Sequence, residues 1–308
     1  MLWLFVALAG YTLLVLSDVI NKYLLESSLP NPRFFTFSVG MLGGLVIVLI
    51  PFGVVSIPAL GILILALSAG ALRLAGLFSL FYGLSRFEVS RIIPAIGGFL
   101  PLFVLALTMI LPSNSATLSF QEIAALALLI LGSVVVSIEG KKFLTLQSLA
   151  FSAITALLFA FSFALSKFVY EAEPFLSGLF WIFIGSTFAS LFLLLFSDVR
   201  EKAFGMFSGA KKKTTPLAFK VLVIFLLAQI LGGGAIVLQN LAVALVPFGQ
   251  LAFVHALEGT QYVLLFLLTI IISAMAPSLL REEISKRAII QKVLSLVLIG
   301  VGIVLLAF

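Results

Sequence analysis

Apolar residues run along this chain in blocks of about twenty, separated by short stretches that hold the turn residues and most of the charge. None of the blocks alternates apolar with polar positions, so the elements they predict are helices and not barrel strands. At about 1.5 Å of rise per residue, each block matches the roughly 30 Å of a hydrocarbon core. Ten spans fit: Leu2–Leu24, Phe34–Phe52, Pro58–Leu84, Val89–Leu111, Phe120–Ile138, Gln147–Tyr170, Phe175–Ser197, Val221–Val246, Phe248–Ser273 and Ala288–Phe308. Between them stand Pro30-Asn31-Pro32, Pro51-Phe52-Gly53, Pro112-Ser113-Asn114 and Glu173-Pro174, all turn chemistry. The single long connection, Asp198 to Phe219, contains Lys211-Lys212-Lys213 and reads as a solvated basic connector. Leu2–Leu24 has no basic stretch before it and no small-residue cleavage site, so it reads as a retained first helix.

Composition agrees with an all-α integral membrane protein. Hydrophobic residues make up 63% and charged residues 10%, with mean hydropathy +1.32, whereas soluble domains run at roughly a quarter charged. The net charge of +6 sits in the loops, where topology and anionic headgroups call for it, so no nucleic-acid partner is expected. With no cysteine, thiolate nucleophiles and cysteine metal sites are excluded, and neither a metal nor a cofactor is expected.

The chain also repeats itself. The segment Ser17 to Glu26 overlays Ser162 to Glu171 with Ser, Lys and Glu matched at a constant separation of 145 residues. Ala95, Gly98 and Leu102 of the fourth span correspond in outline to Ala256, Gly259 and Val263 of the ninth. Each half, residues 1–140 and 141–308, then holds five spans of one membrane domain. An odd number makes the second half enter the membrane inverted, a construction used by alternating-access transporters with a midplane site. Nearly all Lys and Arg fall in the odd-numbered loops and their flanks, among them Arg33, Arg86, Arg91, Arg200, Lys202 and Lys286, while the even loops hold essentially only Lys167. That bias puts the odd loops in the cytoplasm and both termini outside, in a plasma or inner membrane.

The ten spans, the five-plus-five repeat, the lysines Lys22 and Lys167 near the ends of the first and sixth spans, the segment Glu88 to Gly98 and the segment Leu280 to Ser285 together resemble the EamA-like branch of the drug/metabolite transporter superfamily. The resemblance covers essentially the whole chain. It implies a basket-shaped bundle lined by spans 1, 3, 4, 6, 8 and 9, and export or exchange of amino acids or other metabolites. Two features depart from the family pattern. Ser113 to Glu122 stands where members carry a Gly-Glu pair, and members commonly keep both termini in the cytoplasm.

Ionisable groups within spans are the candidates for chemistry, because each costs roughly 2.5–3.5 kcal/mol at a helix centre. Glu258 lies near the middle of span nine, with His255 three residues before it and Tyr262 four after, a spacing that gathers them on one helix face. The stripe is either a proton or substrate site or a buried hydrogen-bond cluster between helices. Arg73, near the centre of span three, needs a carboxylate or an aqueous cavity. Glu258 is a candidate partner, and a substrate carboxylate or phosphate is the alternative. Asp18 and Lys22 are spaced as an intrahelical pair. Lys167 and Lys22 either snorkel to the interface or form cavity-rim cations. Gln229, Gln239, Asn240, Gln250 and Gln261 line a polar path or act as interhelical glue.

Pro94, Gly97, Gly98 and Pro101 interrupt span four at the positions that correspond to His255, Glu258, Gly259 and Tyr262, which suggests a hinge or gate opposite a site. A phosphate-loop reading of Gly205 to Lys211 fails because Ala210 stands where a second glycine is needed, and no enzyme motif is found. The expected function is a secondary transporter of small polar metabolites, with membrane lipid and protons as further partners. The alternatives are a flippase or carrier for a lipid-linked intermediate, or a membrane subunit without transport of its own.

Overall fold

The computed structural model describes residues 2–27, 31–87, 89–110, 119–137, 146–207, 216–261, 264 and 286–307. Within them the chain is an all-α bundle of eleven helices: α1 (Leu2–Ser27), α2 (Pro32–Gly43), α3 (Leu60–Arg86), α4 (Val89–Ile110), α5 (Phe120–Ser137), α6 (Leu146–Ala172), α7 (Phe175–Leu191), α8 (Ser197–Phe207), α9 (Pro216–Leu245), α10 (Leu251–Ala256) and α11 (Lys286–Ala307). Five stretches among the described residues are long and apolar enough to cross a membrane: Pro32–Phe52, Leu60–Arg86, Leu146–Ala172, Phe175–Leu195 and Leu222–Leu245. Large apolar side chains point outward along them. Phe52 is 72% exposed and Leu195 79%, as lipid-facing residues are and the surface of a water-soluble domain is not. The chain is a multi-pass integral membrane protein, as the plasma or inner membrane requires.

Local chemistry sets the helix ends. Asn31 caps α2 by accepting a hydrogen bond from the Phe34 N–H at 3.1 Å, and Pro32 stands in the first turn, where no N–H is needed. Beyond Gly43 the helix tightens into a 3₁₀ stretch, Gly44–Phe52, which ends at Gly53 in the left-handed conformation with φ of 67°. Because 3₁₀ turns rise about 2 Å per residue, this element reaches roughly 36 Å, enough for the hydrocarbon core. A reciprocal capping box opens α5: Ser119 N–H donates to Glu122 Oε2 at 2.7 Å, and Glu122 N–H donates to Ser119 Oγ at 3.2 Å.

Two crevices mark the ends of the bundle. Arg33, Tyr82, Ser85 and Asp198 line one, and Gly53, Ser56, Pro174 and Phe175 line the other. Chain order through them shows α2 running from the first end to the second, α3 returning, and α7 running parallel to α3. The most extensive helix pairs are α1 with α9, α3 with α6, α5 with α11, α3 with α7, and α4 with α6. The main core joins Tyr11 of α1, Ile92 and Ile96 of α4, Ala156 and Ala160 of α6, Ala242 of α9 and Phe253 of α10.

Small residues permit the tightest contact, between α3 and α7. A Cβ on Gly70 would collide with the Ile182 carbonyl oxygen and approach Ser186 N at 2.6 Å, and one on Gly185 would meet Leu67 Cα at 2.6 Å. Ser186 Oγ donates to the Gly70 carbonyl at 2.8 Å across the same crossing. Lipid supplies no hydrophobic drive between helices, so this close packing is what joins them.

Two expectations are corrected. The connector after span seven begins as a helix, α8, with Val199 and Ala203 buried against the bundle. Asp198 in its first turn accepts from Asn31 Nδ2 at 2.9 Å and lies 3.5 Å from Arg33 Nη1. The basic run Lys211–Lys213 lies outside the described residues. The interruption expected in span four is not made, and α4 runs unbroken from Val89 to Ile110. α4 is braced by its neighbour close to Pro94: Ser152 Oγ of α6 donates to the Ile92 carbonyl at 3.3 Å. The break occurs instead in span nine, where α10 stops at Ala256, Leu257 forms a turn, and helix resumes over residues 258–261.

Gly70→Ala is expected to lower thermal stability in detergent by several degrees, since backbone on both sides must move, at a cost of about 1–3 kcal/mol. Gly233→Ala, whose Cβ meets nothing within 4 Å, is expected to leave the melting temperature unchanged or slightly raised. The Asp198 carboxyl is held below the usual carboxylate range, chiefly by the Asn31 hydrogen bond and also by Arg33. A depressed carboxyl contributes stability above its unfolded pKa and loses it as pH falls through the folded value. The stability difference between the wild type and Asp198→Asn is therefore expected to be constant above about pH 5 and to shrink below about pH 4.

Candidate functional site

Two sets of buried polar groups are joined by one face of α6. The first set surrounds the break in span nine. Every residue from Leu251 to Leu257 is buried, so this segment lies at the centre of the bundle. His255 is 2% exposed and packs on Phe163 with ring centroids 4.0 Å apart, and its Nε2 finds no hydrogen-bond partner among the described residues. One residue before it, the Val254 carbonyl accepts the Tyr11 hydroxyl of α1 at 2.9 Å. Glu258, just past the turn, is partly exposed and within electrostatic reach of Tyr11. The turn at Leu257 keeps helical dihedrals and a 3.1 Å bond from its N–H to the Phe253 carbonyl, so His255 and Glu258 stay about one helical turn apart. Tyr262 lies outside the described residues.

The second set joins α3, α6, α7 and α9. Tyr170 donates to Asn240 Oδ1 at 2.8 Å, and Asn240 Nδ2 donates back to the Ile236 carbonyl of its own helix at 2.9 Å. Lys167 is 4% exposed, and its Nζ donates to the Ala244 carbonyl at 3.1 Å and lies 3.5 Å from Glu171. The snorkelling expected of Lys167 does not occur. A cation placed on the last turn of α9 satisfies a carbonyl that the helix leaves free and complements the negative end of its dipole, so the interior position is favoured.

Arg73 is surrounded by protein yet keeps part of its surface accessible. Its guanidinium carbon stands 4.7 Å from the Phe183 ring centroid, and its charge acts on Tyr170. The pairing with Glu258 is not made: among the described residues Arg73 has neither an ion pair nor a hydrogen bond, because α3 turns its side chain towards α7. Cation–π contact offsets about 2 kcal/mol when desolvated, less than the roughly 2.5–3.5 kcal/mol that insertion costs.

Phe163, Lys167 and Tyr170 lie on one face of α6 at i, i+4 and i+7. They place the Glu258 neighbourhood and the Arg73 neighbourhood about 10 Å apart along the helix. Gln239 packs beside Gly10 of α1, whose Cβ would stand 3.4 Å from Gln239 Cγ. Asp18 and Lys22 fall on α1, with their side chains outside the described residues. Pro94, Gly97, Gly98 and Pro101 all belong to the unbroken α4, and a Cβ on Gly98 would come 3.2 Å from Val134 of α5.

Two residues of these sets, Tyr11 and Tyr170, escape a reading that looks for charge. The available signal is rarity, since the chain has 5 tyrosines against 31 phenylalanines, and a mid-span hydroxyl must find a partner.

No family model matches the chain, and no curated protein matches it. Twenty-three chains of solved structures do match. In one crystal structure the likeness covers 99% of this chain and 94% of the other, with a TM-score of 0.64 at 15% sequence identity, which is a likeness of overall fold.

Tyr170→Phe is expected to cost about 0.6–1.5 kcal/mol of stability. Because Asn240→Leu removes the same bond, a double-mutant cycle in detergent unfolding is expected to show a coupling of similar size, and simple additivity would contradict the bond.

Proposed function

We propose that this chain is a secondary transporter of the EamA-like drug/metabolite type, built from two inverted five-helix repeats. On this reading it moves small polar metabolites, amino acids first among them, by alternating access. One pair of hydrogen bonds carries the proposal. Ser17 Oγ of α1 donates to the Ala228 carbonyl of α9 at 2.9 Å, and Ser162 Oγ of α6 donates to the Ala69 carbonyl of α3 at 2.8 Å. Ser17 and Ser162 are the two serines matched by the sequence repeat. If α1 corresponds to α6 and α3 to α9, each bond is the image of the other. The same exchange turns the α1–α9 packing into the α6–α3 packing, and it returns α2–α7, α4–α10 and α5–α11 to themselves. A two-fold relation between halves accounts for these pairs together and supports the reading.

The site then lies where the repeats meet. Glu258 stands beside a broken helix, a feature tolerated at membrane depth where it borders protein or a water-filled cavity. Glu258 serves as the proton-carrying group and Arg73 as the cation that receives a substrate carboxylate. Loop charge places both termini outside. The gathering of Arg33, Arg86 and Lys202 from three odd-numbered loops at one end of the bundle supports that orientation.

Reconstitution into vesicles holding a pH-sensitive dye tests the reading. Pools of amino acids and related metabolites are expected to drive a proton flux, and Glu258→Gln is expected to remove its pH dependence. An unaltered pH dependence in Glu258→Gln rejects proton coupling through this residue. Absence of counterflow for every pool, with folded protein, rejects transport and leaves the lipid-carrier or subunit reading.

A further inference from the structure

The crevice at the basic end of the bundle has a geometry that topology alone does not call for. It measures about 320 Å³, at the lower bound of ligand pockets, and lies between the start of α2, the end of α3 and the start of α8. Arg33, Tyr82, Ser85 and Asp198 are among its lining residues. Arg86 stands at its edge, with its guanidinium carbon 4.4 Å from the Tyr82 ring centroid, and Lys202 lies 5.8 Å from the Phe34 ring centroid on α2. Three cations far apart in sequence thus gather around one hollow.

One acid faces them. Asp198 is held by Asn31 Nδ2 at 2.9 Å, and its contact with Arg33 Nη1 is long at 3.5 Å, so Arg33 keeps donors to spare. Among the described residues the Tyr82 hydroxyl donates to no protein group, although its ring is fixed between Arg86 and Phe151. Positive charge and unused donors converge on a hollow that holds one engaged carboxylate.

Apolar surface surrounds it. Arg33 lies over the Phe196 ring at 4.4 Å, and Phe192, Leu195 and Phe196, in the 3₁₀ turn and bend that lead into α8, are exposed. On α8, Phe204 is exposed beside Arg200 and Lys202, while Val199 and Ala203 pack inward, the make-up of a helix lying in a membrane interface. A soluble anion has no use for the exposed phenylalanines and leucine, whereas acyl chains do.

We propose that this crevice is a binding site for the phosphate headgroup of an anionic membrane lipid, with Arg33, Arg86 and the Tyr82 hydroxyl as its donors and the acyl chains lying along Phe192 and Leu195. Basic pockets at the ends of membrane helices recognise lipid headgroups in this way. The site is separate from the buried polar sets and does not depend on the transport reading.

The test uses the full chain purified in neutral detergent. Native mass spectrometry follows retention of phosphatidylglycerol, phosphatidylcholine and inorganic phosphate. Phosphatidylglycerol is expected to bind about tenfold more tightly than phosphatidylcholine, and Arg33→Gln and Arg86→Gln each to weaken it about fivefold. Arg86→Gln is the informative variant, because Arg86 is exposed and its removal leaves the Asn31–Asp198 contact in place. Lys292→Gln on α11 serves as the remote-charge control and is expected to change nothing. Equal retention of the two lipids, or phosphatidylglycerol retention unaffected by Arg86→Gln in folded protein, overturns the site. Inorganic phosphate binding as tightly as phosphatidylglycerol overturns the lipid assignment and makes the ligand a soluble anion.

Discussion

Hydrocarbon offers no hydrogen-bond partner, so a polar group carried into it is costly unless protein or a water-lined cavity satisfies it, and the helix contacts of this bundle follow from that constraint. Ser17, Ser162, Ser186, Thr187 and Tyr11 each donate to a backbone carbonyl on a neighbouring helix. A carbonyl oxygen has a second lone pair after its own helix has used one, so a hydroxyl can attach without opening the ladder. Each such bond contributes only about 0.6 kcal/mol in a membrane, too little to hold helices together. What they fix is register. A helix that slides by one residue strands a hydroxyl in lipid, and the alternatives are thereby disfavoured.

Cohesion comes from approach distance. Gly70 and Gly185 let α3 and α7 meet backbone to backbone, and Gly10 lets α1 close on Ala235 and Leu238 of α9. At Gly232 the two effects meet: a Cβ there would stand 2.7 Å from Ser17 Oγ, so the small residue keeps open the space in which that hydroxyl reaches Ala228. Packing and hydrogen bonding are therefore not independent contributions at this crossing.

The five long apolar spans Pro32–Phe52, Leu60–Arg86, Leu146–Ala172, Phe175–Leu195 and Leu222–Leu245 are legible in the sequence because the thickness of the hydrocarbon imposes their length. Ser17 and Ser162, paired in the sequence comparison, each donate to a carbonyl of a neighbouring helix. Rotation of a helix about its axis leaves no such trace. Arg73 turns to Phe183 and not to Glu258, and Lys167 turns inward to the end of α9 and not outward to the interface. Both outcomes are decided by partners from other helices. The proline-bearing α4 stays whole while span nine breaks at Leu257, where no proline stands. Local propensity is a weak guide inside a packed bundle, where tertiary contacts override it. The short α8 is hidden differently, because its charges read as a loop while Val199 and Ala203, four apart, supply its inward face.

On the proposed two-fold relation, the departures from symmetry bear most on function. Four residues beyond the two equivalent carbonyl acceptors, α3 carries Arg73 and α9 carries Gly232. At the positions matched between the fourth and ninth spans, α4 carries Pro94 and Gly97, while the ninth carries His255 and Glu258. If the halves are related as proposed, they can exchange conformations at little cost, because each half would already have a stable version of the other's packing. Charges placed symmetrically would repeat one sign in both halves and repel across the interface. Here a guanidinium lies in one half and a carboxyl in the other. The α6 face of Phe163, Lys167 and Tyr170 stands between them, and no direct contact joins Arg73 to a carboxylate among the described residues. On the proposed reading, the Arg73 guanidinium, which makes no ion pair among the described residues, is thereby left open to a substrate anion that a structural ion pair would have excluded.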